Sequence, residues 1–157
     1  MRTMVVILAF STGTGCQTTQ DYWFEVEGQA DGPRLTLDPD ILERFDVAVT
    51  SEDWHLPSVA DVVVTVSDPL VETSVIDSTG AETAPSEVKG RRAVYQVDLD
   101  SPGYRFGVTR HFEVALWASE AVDARWSVHV SMTGITHDDV VASYEVAITR
   151  VTASDTP

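Results

Sequence analysis

Apolar and polar residues alternate with a period of two along most of this chain, a pattern typical of half-buried β-strands. The clearest run has apolar side chains at alternate positions: Ala93, Tyr95, Val97 and Leu99. A second run follows at 104–108, and Ser101, Pro102 and Gly103 between the two runs supply the geometry of a tight turn. The sequence therefore predicts a hairpin formed by 93–99 and 104–108.

Similar runs recur at intervals of about ten residues, which favours a β-sandwich or a β-barrel. They lie at 22–26, 35–37, 45–49, 60–66, 71–76, 112–116, 126–132 and 144–148. Evidence for helix is confined to one turn at 38–44, and 82–90 has the composition of an exposed loop. We predict an all-β, immunoglobulin-like or related Greek-key sandwich of about 8–10 short antiparallel strands, with a closed β-barrel as the alternative.

The N-terminal segment has a different pattern. A basic residue, Arg2, is followed by seven apolar residues at 4–10 and by a run of small residues that ends at Cys16. This order is typical of a secretory signal peptide, and seven apolar residues are too few for a helix that crosses a bilayer. Cys16 is the only cysteine of the chain, so no intrachain disulfide can form.

Thr14, Gly15 and Cys16 together resemble the cleavage site of bacterial lipoprotein precursors. The resemblance covers 1–16 alone, and Gly13 stands where that family prefers leucine. It implies cleavage before Cys16, a diacylglycerol on its thiol, and attachment to the membrane of the bacterial cell envelope. Gln17 at the next position favours the outer over the inner membrane in a Gram-negative cell.

The resemblance and the strand pattern together divide the chain into four parts: a signal peptide at 1–15, a lipidated cysteine and polar tether at 16–21, one sandwich domain at 22–152, and a polar tail at 153–157. Two alternatives remain open. The segment could be an ordinary signal peptide with an incidental cysteine, or the first strand, over 4–10, of a soluble protein. The small-residue run at 11–16 argues against the second alternative because it is typical of a flexible segment.

Charge excludes some classes of partner. The 157 residues include 10 Lys and Arg against 25 Asp and Glu, a formal net charge of −15. A nucleic-acid-binding protein needs a basic surface to displace counterions from phosphates, so we expect no nucleic-acid partner. Strong negative charge also keeps a protein soluble, and it does not by itself indicate a binding site.

Candidate chemistry is sparse. The sequence contains no nucleophile elbow, zinc-protease motif or phosphate-binding loop, so we expect no enzymatic activity and no cofactor. Acidic pairs could supply oxygen ligands to Ca²⁺, although Asp is also common in turns. The candidates for such a site are Asp98, Asp100, Asp138 and Asp139. His111, His129 and Glu113 could bind zinc if their strands pair.

Exposed tryptophans are the remaining candidates. Trp54 and Trp117 could stack on the apolar face of a sugar ring, as aromatic platforms do in sugar-binding sandwiches. Alternatively, both faces of the strand that carries Trp117 are covered, or Trp117 packs at the edge of a sheet. The sequence therefore favours a non-catalytic envelope lipoprotein with a structural or partner-binding sandwich, whose partner is an envelope protein or a glycan. The alternative is a carbohydrate- or calcium-dependent binding module.

Overall fold

The computed structural model of the chain describes residues 2–10, 21–39, 41–51, 59–99, 108–136 and 144–151. These residues form an all-β structure of two antiparallel sheets. The two sheets stay separate across the described residues, so the prediction of a sandwich is confirmed and the closed-barrel alternative is wrong.

The described residues form eleven strands, which we number in chain order. They are β1 (Arg2–Phe10), β2 (Asp21–Leu37), β3 (Glu43–Ser51), β4 (Val59–Val66), β5 (Val71–Ile76), β6 (Glu82–Thr83), β7 (Glu87–Lys89), β8 (Arg92–Asp98), β9 (Val108–Ala118), β10 (Val122–Thr136) and β11 (Tyr144–Val151). Sheet A has the order β1-β2-β10-β4-β8-β7, and sheet B has the order β11-β3-β9-β5-β6.

Long strands that follow one another from β2 onward lie in opposite sheets. The predicted hairpin of 93–99 with 104–108 falls only partly on the described residues, because 104–107 lie outside them. Its first run is β8 in sheet A, where β8 pairs with β4 and β7. The second run reaches the described residues only at Val108, the start of β9, which pairs with β3 and β5 in sheet B. Alternation fixes which side chains point inward, but it does not identify the neighbouring strand.

The core lies between the sheets and consists of the inward-facing side chains that the alternation predicts. Val97, Tyr95 and Ala93 of β8 are buried, and so are Phe112 and Leu116 of β9. Valine is the commonest of the remaining buried side chains, which suits strands because β-branched residues pack well on a pleated surface. The burial pattern thus confirms the predicted inward faces of both strands.

Two contacts show how closely the sheets approach. Gly28 of β2 lies under Val146 of β11, and a Cβ atom at residue 28 would stand 2.6 Å from the Val146 Cβ. Glycine is therefore required there by space rather than by backbone conformation. On the other side of the core, the Tyr95 hydroxyl group donates a 2.7 Å hydrogen bond to the backbone carbonyl of Thr73 in β5.

The connections differ partly from expectation. The turn predicted at 38–44 is shorter than expected: the amide of Ile41 donates to the carbonyl of Asp38 at 2.9 Å, and β3 already begins at Glu43. The segment predicted as a loop at 82–90 instead contains β6 and β7. These short strands lie at the edges of the two sheets, where their exposed residues leave no buried face for a sequence pattern to reveal.

Strand register defines two ends of the sandwich. Asp21, which ends the predicted tether, pairs with Phe10 of β1, and its neighbour Tyr22 pairs with Thr136. We call this the tether end. The opposite end of β2, where Leu37 pairs with Val122, is the distal end. At about 3.3 Å per residue, the 17-residue β2 separates the two ends by about 50 Å.

Candidate functional site

Polar side chains form rows across the outer face of sheet A. Ser127 of β10 pairs with Asp31 on one side and with Thr65 on the other. Two rows further towards the tether end, Ser131 pairs with Asp61 of β4, and the Asp61 carboxylate accepts a 3.3 Å hydrogen bond from the Gln96 amide. Cross-strand neighbours of this kind present their polar groups on a common surface.

An irregularity in β2 interrupts these rows towards the distal end. Ala124 pairs with Leu35, whereas Trp126 pairs with Gly32, so β2 carries one residue more than β10 between these pairs. Pro33 lies in the extra segment, where its missing N–H group is not needed for the ladder. Bulges bend a strand and increase its local twist.

A depression of about 600 Å³ opens beside this bulge on sheet A. Residues of β2, β4 and β10 line it together with Ser67: Gln29, Asp31, Gly32, Thr65, Val66, Ser67, Arg125, Trp126 and Ser127. The set combines one amide, one carboxylate, one guanidinium group and three hydroxyl groups with an indole. Such a mixture of donors and acceptors suits a ligand that carries many hydroxyl groups.

Trp126 connects the depression to the core. Its ring packs against that of Phe45 in sheet B, with the ring centroids 4.3 Å apart and tilted by 37°. A Cβ atom at residue 32 would stand 2.5 Å from the indole Nε1, so Gly32 leaves space that the indole occupies. Trp126 is partly exposed and also packs against the core.

Backbone contacts fix the position of Arg125. Its amide donates to the Ser67 hydroxyl oxygen at 2.8 Å, and the Ser67 amide donates to its carbonyl oxygen at 2.9 Å. Within the described part of the chain, no ion pair involves the Arg125 guanidinium group. Across the depression, the Asp31 carboxylate accepts a long hydrogen bond of 3.4 Å from the Gln29 amide. Both charged groups are exposed and can reach a ligand.

The predicted tryptophans lie elsewhere. Trp117 is partly exposed on the outer face of sheet B and pairs with Glu72. Beside this pair on the same face, Ser74 and Ala115 pair with each other and are buried, so neighbouring side chains cover part of this surface. Trp54 lies outside the described residues.

The structure does not bring the proposed zinc ligands together. His111 belongs to sheet B and lies 3.2 Å from an Asp46 carboxylate oxygen, whereas His129 belongs to sheet A and lies 3.7 Å from one of Glu27. The zinc hypothesis is therefore wrong, because β9 and β10 lie in different sheets. Across the described ranges, no group of three or more His, Cys, Asp or Glu side chains could hold a metal ion.

The proposed calcium ligands are only partly described. Asp98 is exposed at the end of β8, towards the tether end. Asp100, Asp138 and Asp139 lie outside the described residues, and so does the lipidation candidate Cys16. The part of the chain that the structure describes contains no helix long and apolar enough to cross a membrane.

A smaller cavity of about 280 Å³ lies near the β7–β8 hairpin, and Val64, Val71 and Tyr95 contribute to its lining. Burial raises the pKa of the Tyr95 hydroxyl group; the hydrogen bond with Thr73 opposes this shift, and the nearby Glu82 carboxylate adds to it. Tyr95 is occupied by its bonds to Thr73, so we assign this cavity no ligand.

The residues of the depression were not identified from the sequence. Gly32 and Pro33 in the middle of a strand are a signal for a bulge, and bulges often lie beside binding sites. The pairing that brings Asp31, Ser127 and Thr65 together joins strands far apart in the chain, so alternation could not reveal it. Searches for relatives found no matching protein family, curated protein or solved structure.

Proposed function

We propose that this chain is a non-catalytic lipoprotein of the bacterial cell envelope, whose sandwich binds a partner with its distal end. The signal-peptide pattern that ends at Cys16 supports the lipid anchor. The anchor would precede Asp21 by a short polar segment, so the tether end would face the membrane and the distal end would project away from it.

The observation that carries the binding role is the distribution of exposed apolar side chains. Five large apolar residues are exposed in the described part of the chain. Ile41 and Leu42 lie in the β2–β3 connection, Leu70 in the β4–β5 connection, and Val88 beside the β7–β8 turn. These four occupy the distal end, whereas Val59 begins β4 towards the tether end.

Exposed apolar side chains lose contact with water when a partner covers them, and this burial favours association. Charged residues lie near them in the chain, since Asp38 is three residues before Ile41 and Asp68 is two residues before Leu70. An apolar centre with a polar rim is the usual composition of a protein-binding surface.

A photocrosslinking amino acid at residue 42, 70 or 59 tests this proposal in intact cells. Leu42, Leu70 and Val59 are each 43% exposed, so Val59 is a matched control at the other end of the sandwich. We expect discrete adducts from positions 42 and 70 and none from 59. Equal adduct formation at all three positions, or none at 42 and 70, would contradict the proposal.

Carbohydrate binding is a second candidate function because of the polar depression on sheet A. In this second candidate, the sugar site is centred on Trp126 and its polar neighbours in the depression, and not on Trp117 as the sequence suggested. The depression lies towards the distal end of sheet A, so both candidates use the part of the domain that would face away from the membrane.

A further inference from the structure

We propose that the depression beside the β2 bulge binds a neutral saccharide unit, with Asp31 and Arg125 as its main polar contacts. This inference rests on the proposed binding role of the domain, but it does not depend on the lipid anchor or on the apolar residues of the distal end.

The polar groups match the surface of a sugar. Adjacent hydroxyl groups of a pyranose act as donors and acceptors at once, and planar side chains can engage two of them together. Asp31 supplies acceptors, Arg125 supplies donors, and Gln29 supplies both. Thr65 and Ser127 flank Asp31 in one cross-strand row, so five polar side chains lie on one continuous surface.

The contacts described for Arg125 and Asp31 also favour a ligand. The Arg125 guanidinium group has no ion-pair partner among the residues that the structure describes. The only side-chain hydrogen bond described for Asp31 is the long one from Gln29. Elsewhere on the surface, Arg150 forms a bidentate ion pair with Glu43 at 2.7 and 2.8 Å. Asp31 and Arg125 lie on the same depression without pairing, which leaves both free to bind ligand hydroxyl groups.

The aromatic component comes from Trp126. Its ring is held by Phe45 on the core side and is approached closely by the backbone at Gly32. A fixed aromatic ring loses little conformational freedom on binding, and its apolar surface suits the C–H groups of a sugar.

The charge of the protein determines which class of saccharide fits. With a formal net charge of −15, the chain repels polyanions over distances of about a Debye length, roughly 8 Å at physiological ionic strength. One guanidinium group opposite one carboxylate gives the depression itself no net charge. A neutral sugar is therefore favoured over a uronic-acid polymer.

The test is NMR titration of the purified, ¹⁵N-labelled full-length chain with five tetrasaccharides. Four are neutral (cellotetraose, maltotetraose, mannotetraose and acetylated chitotetraose), and tetragalacturonate is the acidic comparison. We expect at least one neutral probe to bind at millimolar concentration and to shift the Trp126 indole N–H and the Gln29 side-chain amide, while the Trp117 indole N–H stays unchanged.

Variants then locate the site. Asp31→Ala and Arg125→Ala should each weaken binding by about tenfold, the effect of losing one charge-assisted hydrogen bond. Asp61→Ala is the matched control, since Asp61 also accepts a bond from a glutamine amide on this face and lies outside the depression. All three side chains are exposed, and thermal unfolding checks that each variant is folded.

Four results would overturn the inference: no shift with any neutral probe, shifts centred on Trp117, binding of tetragalacturonate alone, or equal weakening by Asp61→Ala. A failure here would leave the crosslinking result at residues 42 and 70 unaffected. The two experiments therefore test the saccharide site and the distal protein-binding surface independently of each other.

Discussion

The Tyr95 hydroxyl group of sheet A donates a 2.7 Å hydrogen bond to the Thr73 carbonyl oxygen of sheet B, so one bond joins the two sheets beside the core. The Thr73 hydroxyl group lies 2.6 Å from the same Tyr95 oxygen and donates to it. Tyr95 is thus both donor and acceptor within a core whose commonest residue is valine.

Replacement of this tyrosine should reduce stability without changing the fold. Tyr95→Phe keeps the ring but leaves the Thr73 carbonyl without its donor, and we expect a loss of about 1–2 kcal/mol in the free energy of unfolding. Denaturant unfolding at neutral pH measures the loss. An unchanged midpoint would show that the hydrogen bond contributes nothing to stability.

The same residue makes the stability sensitive to alkali. Burial raises the pKa of Tyr95 above its usual value of 10.0, so the folded chain holds this proton more tightly than the unfolded chain. The contribution is fully present below pH 10 and is lost as pH rises through the folded pKa. Wild type should therefore lose more stability than Tyr95→Phe in that range. Parallel alkaline profiles would contradict the assignment.

Gly28 should resist substitution because of the contact with Val146. Gly28→Ala forces the new methyl group into the Val146 side chain, and we expect a cost of about 1–3 kcal/mol from overpacking. In a Val146→Gly background the same substitution should cost much less, because the Val146 side-chain atoms that the new methyl group meets, Cβ included, are removed. A double-mutant cycle on unfolding free energies measures this coupling, and additive effects would contradict the close approach of β2 and β11.

The ion pair between Glu43 and Arg150 should exceed the other surface pairs in strength. Its hydrogen bond to Glu43 raises the pKa of Arg150, with burial opposing this shift and the Glu43 charge adding to it. Because Arg150 is half exposed, we expect a coupling of only about 0.5–1 kcal/mol, reduced by salt. The more exposed pair of Arg34 with Asp123 is the control and should couple less. Double-mutant cycles at two salt concentrations test this order.

Asp77 organises the β5–β6 turn. Its carboxylate accepts bonds from the Thr79 hydroxyl group and from the amides of Thr79 and Ala81, and these bonds lower its pKa below 3.8. Its contribution to the folded state is present above pH 4 and is lost as pH falls through the lowered pKa. Thr79→Val removes the largest contribution, so the Asp77 pKa should rise in an NMR titration. An unchanged Asp77 pKa would show that the Thr79 hydroxyl group does not cause the shift.

The sequence predicted which side chains face the core better than it predicted which strands are neighbours in a sheet. Alternation identified the buried faces of Tyr95 and Phe112, since one buried face of a strand requires that pattern. It did not identify that β8 and β9 belong to different sheets, because a turn signal such as Pro102–Gly103 carries no information about which sheet the next strand joins. The depression depends on pairing between β2, β10 and β4, so its residues, Trp126 among them, could not be grouped into one site from the sequence.

The structure places Arg2–Phe10 in β1, at the edge of sheet A, where β2 is its only partner strand among the residues that the structure describes. Cleavage before Cys16 would remove β1. It would leave β2 paired with β10 along its other side, so a five-stranded sheet A would remain. The processed and unprocessed chains therefore share the β2–β11 sandwich, and they differ in mass and in the strand at one edge.

Intact mass spectrometry of the membrane fraction tests the anchored-domain account most directly, with Cys16→Ser as the comparison. The account predicts a chain that begins at Cys16, carries lipid mass on that residue, and loses both the lipid and its membrane association in the variant. An unmodified chain that retains residues 2–10 would contradict it, and β1 would then be a permanent edge strand of a protein without a lipid anchor.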